Sequence, residues 1–153
     1  QSAQRFESLS CRVCLIRTGI VLGSEGALAK MLTPFKLGLG GPIGDGQQWM
    51  SWIHIDDMID LILHCIAQTE LTGAINATAP NPARNREFTS ALGRVLARPT
   101  MLPMPAFMVK LLFGEMGEEL LLQGQSVMPK KALAAGFTFQ HPTLEGVLME
   151  QYN

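Results

Sequence analysis

Residues 49–79 read WMSWIHIDDMIDLILHCIAQTELTGAINATA, and this stretch decides the fold class. Residues 49–54 are typical of a short β-strand, and residues 73–79 are typical of a second one. Between them, apolar residues recur at helical spacing over residues 55–68, and two aspartates occupy the first turn, where the helix dipole favours carboxylates. Strands separated by a helix of this length predict parallel pairing, and therefore an α/β fold.

The helix in this stretch carries an apolar stripe and a polar stripe. The apolar stripe consists of Ile55, Met58, Ile59, Ile62 and Ile66. We expect this stripe to face the core, and we expect Asp57, Asp60 and His64 on the other side to face water. A metal site on the polar side, to which His54 and Asp56 could contribute, is the alternative. We favour the solvated face and assign no metal ligand.

Upstream of this stretch, the pattern also alternates between strand and helix. Residues 11–17 and 18–23 are β-like, and residues 27–37 form a helical run. Pro34 lies inside that run and predicts a break or kink near Thr33. Glycines cluster at residues 38–46. Because this cluster follows a helix and leads into a strand, it is a loop bordering a pocket rather than a dinucleotide phosphate loop.

Downstream, the chain divides into two parts. Asn85 is a candidate cap for a helix over residues 86–97. We place a domain boundary there, so that residues 1–97 form the α/β part and residues 98–153 form a small, mostly helical second domain. In that second domain we predict helices near residues 106–113, 115–122, 129–135 and 144–151, with a short strand at 137–139.

The composition excludes several classes of protein. The chain has 153 residues, of which 47% are hydrophobic and 16% charged, and this excludes intrinsic disorder. Its 12 basic and 13 acidic residues give a net charge of −1. We therefore expect neither nucleic acid nor a membrane surface as a partner. Three cysteines, an odd number, favour a reducing compartment such as the cytoplasm over a disulfide framework.

No complete set of catalytic residues is present in the sequence. The single tyrosine, Tyr152, lies in no Y-x-x-x-K motif, and the chain contains no G-x-x-x-x-G-K-[ST], no H-E-x-x-H and no G-x-S-x-G. We therefore assign no catalytic residue to this chain.

Four motifs, taken in their order and spacing, go further than the composition does. They are RTGIVLG at residues 17–23, KLGLGGPIG at 36–44, WIHIDD at 52–57 and NATAPNP at 76–82. Together they resemble the C-terminal half of extended short-chain dehydrogenase/reductases, in the NAD(P)-dependent epimerase/dehydratase group. The resemblance is to the YfcH-like epimerase family proteins, including their small C-terminal domain of unassigned function.

The resemblance implies a Rossmann-like NAD(P)-binding fold. This chain would hold the last parallel strands and the substrate-binding region, so we expect a fragment. In the family, the cofactor fingerprint and the catalytic Y-x-x-x-K motif would lie upstream of residue 1. The implied cofactor is therefore NAD or NADP in the full-length parent. We expect the isolated chain to bind no cofactor and to be inactive.

The resemblance also suggests site residues. Arg17, Thr18, Ile20 and Val21 correspond to a segment that borders the nicotinamide and the substrate, and are predicted to bind the cofactor. Residues 27–53 resemble the segment that covers the substrate. The candidate substrate contacts within it are Lys36, Gln47, Gln48, Trp49 and Met50.

Two further expectations concern residues 49–52. Family members that act on sugar nucleotides often carry an arginine where this chain has Met50, and methionine cannot make the bidentate phosphate contacts of arginine. Side chains alternate along a strand, so Trp49 and Trp52 should lie on opposite faces. We expect Trp49 to face the cleft and Trp52 to face the core.

The expected function is the substrate-side half of an NAD(P)-dependent oxidoreductase, similar to a nucleoside-diphosphate-sugar epimerase or to a reductase, acting on an unknown small molecule. The alternative is a non-catalytic binding or interaction module built on the same fold. An incomplete parallel sheet leaves a strand edge exposed, so oligomerisation through that edge is also expected.

Overall fold

The computed structural model of the chain describes residues 11–25, 27–104 and 124–152. Its strands are β1 (Cys14–Thr18), β2 (Ile20–Leu22), β3 (Trp49–Met50), β4 (Trp52–His54), β5 (Gly73–Ala77) and β6 (Ala83–Arg84). Its helices are α1 (Ala27–Lys36), α2 (Ile55–Ala67), α3 (Asn85–Val95), α4 (Lys130–Ala134) and α5 (Leu144–Tyr152). Among these described elements, no helix is long and apolar enough to cross a membrane.

Parallel pairing, as the sequence predicts, organises the longer strands. β1 pairs with β5 over their full length, from Cys14 opposite Gly73 to Thr18 opposite Ala77. β2 pairs in parallel with β4, while the two-residue strands β3 and β6 pair antiparallel. The crossover from β4 to β5 runs through α2. The predicted α/β fold class is therefore confirmed.

The predicted strand over residues 49–54 is divided at Ser51, and the β-like run over residues 11–23 is divided at Gly19. The two interruptions touch each other: the backbone N–H of Ile20 donates to the Ser51 carbonyl at 2.8 Å. A Cβ atom on residue 19 would lie 2.5 Å from that carbonyl oxygen. Only glycine permits this close approach. The chain thus passes from the β1–β5 pair to the β2–β4 pair without a loop.

Helix α1 does not break near Thr33, contrary to the expectation from Pro34. The helix continues through Pro34 to Lys36, although a proline inside a helix removes one backbone hydrogen bond. Burial holds the helix in place. Its buried side chains are Leu28, Met31, Leu32 and Phe35.

Helix α2 buries the opposite face from the one predicted. The side chains of Asp57, Leu61 and Cys65 are buried against the strands. The isoleucine stripe is largely exposed: the exposed fractions are 39% for Ile55, 48% for Ile59, 37% for Ile62 and 65% for Ile66. Of the predicted stripe, Met58 alone packs against the core, as a partly buried residue. The expectation that Asp57 faces water is wrong.

The buried Asp57 carboxylate connects α2 to the C-terminal part of the chain. It accepts the backbone N–H of Gln140 at 2.8 Å and that of His141 at 3.0 Å. Asp60, one turn later, accepts the Gln140 side-chain amide at 2.8 Å. His64 contacts the Ala135 carbonyl through Nε2 at 3.1 Å. The polar stripe of α2 is therefore an internal contact surface.

The glycine-rich loop is fixed to the start of α3 and does not line the cleft described below. The sequence predicted Asn85 as the cap of α3, and this prediction is wrong. The Asn85 side chain lies in the first turn of the helix and is buried. Its Oδ1 accepts the backbone N–H of Ile43 at 2.7 Å, and its amide donates to the Met50 sulfur. The Gly46 carbonyl accepts the N–H of Arg86, which completes the attachment.

The C-terminal part matches the prediction in its two described helices. α4 ends before Gly136, whose φ of 79° suits glycine, and α5 covers the predicted last helix. Residues 137–139 form no strand. Instead, Phe137 and Phe139 pack edge to face, with ring centroids 4.9 Å apart, into the core beneath α2. The helices predicted within residues 106–122 lie outside the described residues.

Candidate functional site

A cleft of about 800 Å³ opens where β1 and β5 end. The ends of these strands bring Arg17, Thr18, Asn76 and Thr78 to one wall. In parallel α/β sheets, ligands bind in the crevice outside the carboxyl ends of the strands. The described residues that line the cleft are Arg17, Thr18, Gly19, Ile20, Trp49, Ser51, Asn76, Thr78, Gly124, Gln125, Ser126, Val127, Met128 and Lys130.

Residues 124–128 form an extended strap along one side of the cleft. Ser51 holds the strap twice: its hydroxyl donates to the Gln125 carbonyl at 2.6 Å and accepts the Val127 N–H at 2.9 Å. Asn76 donates to the Met128 carbonyl at 3.1 Å, and Thr78 donates to the Val127 carbonyl at the same distance. These polar side chains therefore attach the strap to the strand ends.

At Gly124 the strap lies so close to the strands that a residue with a side chain would not fit. A Cβ atom on Gly124 would lie 1.7 Å from the Trp49 carbonyl oxygen. No rearrangement of a flexible side chain can relieve this overlap, because the obstructing atoms belong to the backbone. The position of the strap thus depends on a glycine that the sequence pattern did not single out.

The cleft is positively charged and is lined by both polar and apolar side chains. Arg17 lies on one strand end, and Lys130 begins α4 on the strap side. Among the described lining residues, none is Asp, Glu, His, Cys or Tyr. The cleft can therefore attract an anionic group and orient it through amides and hydroxyls.

The two tryptophans lie in different environments, as strand alternation predicts. Trp52 is fully buried, and its indole N–H donates to the Asn81 carbonyl at 3.1 Å. Trp49 lines the cleft and is only partly buried. The guanidinium carbon of Arg84 lies 4.2 Å from the Trp49 ring centroid, within the range of a cation–π contact. Arg84 also donates to the Gln47 carbonyl.

The structure brings some of the predicted site residues to the cleft and places others elsewhere. Arg17, Thr18, Ile20 and Trp49 are among its lining residues. Val21 instead packs as a partly buried residue against the cluster beneath α2, because strand alternation turns it away from Ile20.

The other predicted substrate contacts do not line the cleft. Met50 is fully buried in the core on the same strand face as Trp52, which corrects its assignment as a substrate contact. Gln48 donates to the Ile43 carbonyl within the glycine-rich loop. Gln47 belongs to the same loop, where its backbone N–H donates to Asp45. Lys36 ends α1 and is exposed to solvent.

Several lining residues were missed from the sequence. Asn76 and Thr78 lie in a motif that carried the family resemblance, so their position after a predicted strand was an available signal. Ser51, a polar residue between two tryptophans in a predicted strand, was another. Nothing local connects residues 124–130 to this site, because their contacts lie about fifty to seventy-five residues away in sequence.

Comparison with known proteins agrees with this fold. A family model described as a domain of unknown function, DUF1731, matches residues 104–151. The epimerase family protein SDR39U1 of Homo sapiens is 40% identical over 98% of this chain and 52% of that protein. The chloroplastic homologue from Arabidopsis thaliana is 48% identical over 90% of this chain and 40% of that protein. The chain thus spans about half the length of the curated relatives it matches.

Solved structures give the same result. The crystal structure of human SDR39U1 isoform 2 with NADPH superposes with a TM-score of 0.85, at 40% identity, over 94% of this chain and 49% of that one. A UDP-glucose 4-epimerase from Thermus thermophilus, solved with NAD, shares the fold at a TM-score of 0.64 and 18% identity. The chain is therefore a homologue of the epimerase family proteins and corresponds to about half of their Rossmann-like NAD(P)-binding fold.

Proposed function

We propose that this chain forms the substrate-side part of an NAD(P)-dependent oxidoreductase of the epimerase or reductase type. The observation that carries the proposal is the cleft at the ends of β1 and β5, with Arg17 and Lys130 as its cations and no carboxylate among its described lining residues. Parallel α/β folds bind their ligands at this end of the sheet. A small anionic molecule suits this charge.

The cofactor of the complete protein would be NAD or NADP. The support comes from relatives: the human homologue was solved with NADPH, and a more distant protein of the same fold was solved with NAD. In this chain, Arg17, Thr18 and Ile20 would contact the cofactor or the substrate beside it. The group itself would supply hydride transfer, and the described cleft residues would bind and orient.

The substrate could be a nucleoside-diphosphate sugar or a smaller anionic carbonyl compound. Met50 is buried, so this position contacts no phosphate, unlike the arginine that many sugar-nucleotide enzymes of the family carry there. We therefore favour a small carbonyl substrate. We also propose the cytoplasm as the site of function, because an odd number of cysteines, three, argues against a disulfide framework.

We expect the 153-residue chain alone to bind NADPH only weakly, with a dissociation constant above the micromolar range. A chimera should bind it at least tenfold more tightly. In this chimera, the 153 residues of our chain replace the matching half of human SDR39U1, and the other half of the human protein is kept. Calorimetric titration of both proteins with NADPH measures the difference.

The charge of the cleft is tested in the same chimera. Arg17→Ala should weaken binding of NADPH, or turnover of a trial carbonyl substrate, about tenfold or more, since a charged hydrogen bond contributes about 1.5–3 kcal/mol. Arg98→Ala, at an exposed arginine outside the cleft, is the matched control and should change neither. Equal behaviour of the two variants, or micromolar binding by the isolated chain, contradicts the proposal.

A non-catalytic binding module is the second candidate. It is favoured by the described lining of the cleft, which contains no Asp, Glu, His, Cys or Tyr side chain. The natural gene distinguishes the two functions. An upstream half with a cofactor fingerprint and Y-x-x-x-K supports the enzyme, and an upstream half without them supports the module.

We further propose that the isolated chain associates with a second copy of itself. In the described residues, β1 and β5 each pair along one edge only. The exposed isoleucines of α2 add an apolar surface, and a net charge of −1 gives little repulsion between copies. Light scattering should give about twice the monomer mass or more at high concentration.

Surface variants test which contact drives this association. Ile59→Lys together with Ile66→Lys should return the mass to that of a monomer if the α2 face contributes. Leu37→Lys, at a residue that directly follows α1 and is 70% exposed, is the control and should not change the mass. A monomeric parent chain at all concentrations would exclude self-association.

A further inference from the structure

Two imidazoles and a carboxylate converge at the end of β4 opposite to the cleft. His54 Nδ1 lies 3.7 Å from an Asp56 carboxylate oxygen, and His141 Nε2 lies 4.0 Å from the same oxygen. One ligand atom from each of the three residues lies within 4.8 Å of the others. The two imidazole rings are 3.9 Å apart between centroids.

These side chains come from separate parts of the chain and are held there by other contacts. His54 ends β4, and Asp56 lies in the first turn of α2. His141 is fixed by its own backbone N–H, which donates to the buried Asp57 carboxylate at 3.0 Å. The convergence is thus built into the junction between α2 and the C-terminal part.

The outward nitrogen of each imidazole meets a side chain from α5. His141 Nδ1 lies 3.2 Å from a Glu150 carboxylate oxygen, and His54 Nε2 lies 3.3 Å from the Gln151 amide nitrogen. Metal-bound histidines commonly donate their second ring N–H to a carboxylate or a carbonyl in this way.

The Gln151 amide gives independent evidence about the His54 ring. Its oxygen is buried and has no hydrogen-bond partner among the described residues, while its nitrogen faces His54 Nε2. Turning the amide over places the oxygen against Nε2, so that Nε2–H donates to it. His54 Nδ1 then keeps a lone pair directed towards Asp56.

We propose that His54 Nδ1, Asp56 Oδ2 and His141 Nε2 bind one divalent transition-metal ion of the zinc class. Two imidazoles and one carboxylate suit such an ion better than magnesium or calcium, which prefer oxygen ligands. In a tetrahedral zinc site, bonds of about 2.0–2.2 Å place neighbouring ligand atoms roughly 3.3–3.6 Å apart. The two nitrogen–oxygen distances, 3.7 and 4.0 Å, need to close by about 0.1–0.7 Å, and the distance between the two nitrogens, at most 4.8 Å, by up to about 1.5 Å.

Metal binding would replace one weak contact. The backbone N–H of Asp56 donates to His54 Nδ1 over 3.3 Å, and this long hydrogen bond is lost when Nδ1 binds the metal. Asp56 is 64% exposed, so the fourth position of the metal is open to water. The ion would connect β4 and α2 to the segment before α5, and its role would be structural.

The test uses the 153-residue chain and Zn²⁺, with Co²⁺ as a spectroscopic probe. We expect one Zn²⁺ per chain by calorimetry, a higher unfolding temperature with Zn²⁺, and Co²⁺ absorption bands of low coordination number without a thiolate charge-transfer band. Asp56→Asn should weaken Zn²⁺ binding at least tenfold and abolish the rise in unfolding temperature. His141→Gln should do the same.

Asp60→Asn is the matched control, because it makes the same change one turn along α2 and leaves the three ligands intact. It should bind Zn²⁺ as the parent chain does. Circular dichroism of the metal-free variants separates loss of binding from loss of folding. Absence of Zn²⁺ binding at 1:1 stoichiometry, equal binding by Asp56→Asn, or a thiolate band that shows cysteine ligation would overturn the proposal.

Discussion

Replacing Asp57 with alanine should lower the free energy of unfolding by about 3–6 kcal/mol. The Asp57 side chain is fully buried and accepts two backbone N–H groups, from Gln140 and His141. Each hydrogen bond to a charged group contributes roughly 1.5–3 kcal/mol, and removing the acceptor leaves both donors unpaired in the interior. Urea denaturation, followed by circular dichroism, measures the loss.

Asp60→Ala is the control for that prediction. In the part of the chain that the structure describes, Asp60 accepts the exposed side-chain amide of Gln140 and no buried group, so its replacement should cost less than about 1 kcal/mol. The loss of unfolding free energy for Asp57→Asn should lie between those for Asp57→Ala and Asp60→Ala. Asparagine keeps one oxygen as an acceptor but places an amide group against the second N–H donor. Equal, small losses for Asp57→Ala and Asp60→Ala would show that Asp57 does not hold the C-terminal part.

The reversed face of α2 shows where sequence periodicity stops being informative. The helix carries apolar residues on more than one side, since Leu61 and Cys65 accompany Asp57 on the buried face while the isoleucines lie outside. The more hydrophobic stripe was chosen as the core side. The aspartate is buried because its partners are the N–H groups of residues 140 and 141, more than eighty residues away. No local pattern contains that information.

The fold class, in contrast, was predictable because it depends on patterns that are local in the sequence. Alternating strands and helices predict parallel pairing, and the pairs β1–β5 and β2–β4 are parallel, although β4 and β5, the strands that flank α2, do not pair with each other. The order of four short motifs pointed to the epimerase family proteins, which are the relatives found. These signals are local or depend only on order along the chain. These signals do not depend on which face of a helix is buried, so the wrong prediction for the face of α2 does not affect them.

The candidate site was predictable on its strand side only. Arg17, Thr18 and Ile20 follow a predicted strand, and such positions reach the ligand end of a parallel sheet. The strap at residues 124–128 was not predictable, because its hydrogen bonds to Ser51, Asn76 and Thr78 depend on the tertiary arrangement. Met50 was misplaced although alternation along the strand already put it on the face of Trp52.

Replacing Trp52 with alanine should cost about 3–5 kcal/mol of unfolding free energy. The side chain is fully buried in the larger core cluster, and its indole N–H is bonded to the Asn81 carbonyl. Alanine would leave a cavity and an unpaired carbonyl. Trp52→Phe should lose less, because most of the volume is kept. Thermal and urea denaturation of both variants give the comparison.

Trp49→Ala, by contrast, should change the unfolding free energy by less than about 1 kcal/mol, since the partly exposed ring makes chiefly a cation–π contact with Arg84. Fluorescence separates the two indoles without any ligand. In Trp52→Phe the remaining emission comes from Trp49 in the cleft and should be quenched readily by acrylamide, whereas in Trp49→Phe the emission of Trp52 should be protected. A stable Trp52→Ala protein together with an unfolded Trp49→Ala protein would mean that the two faces of this strand are reversed. Because the cleft depends on Trp49 facing outward, that result would also remove Trp49 from the proposed binding site.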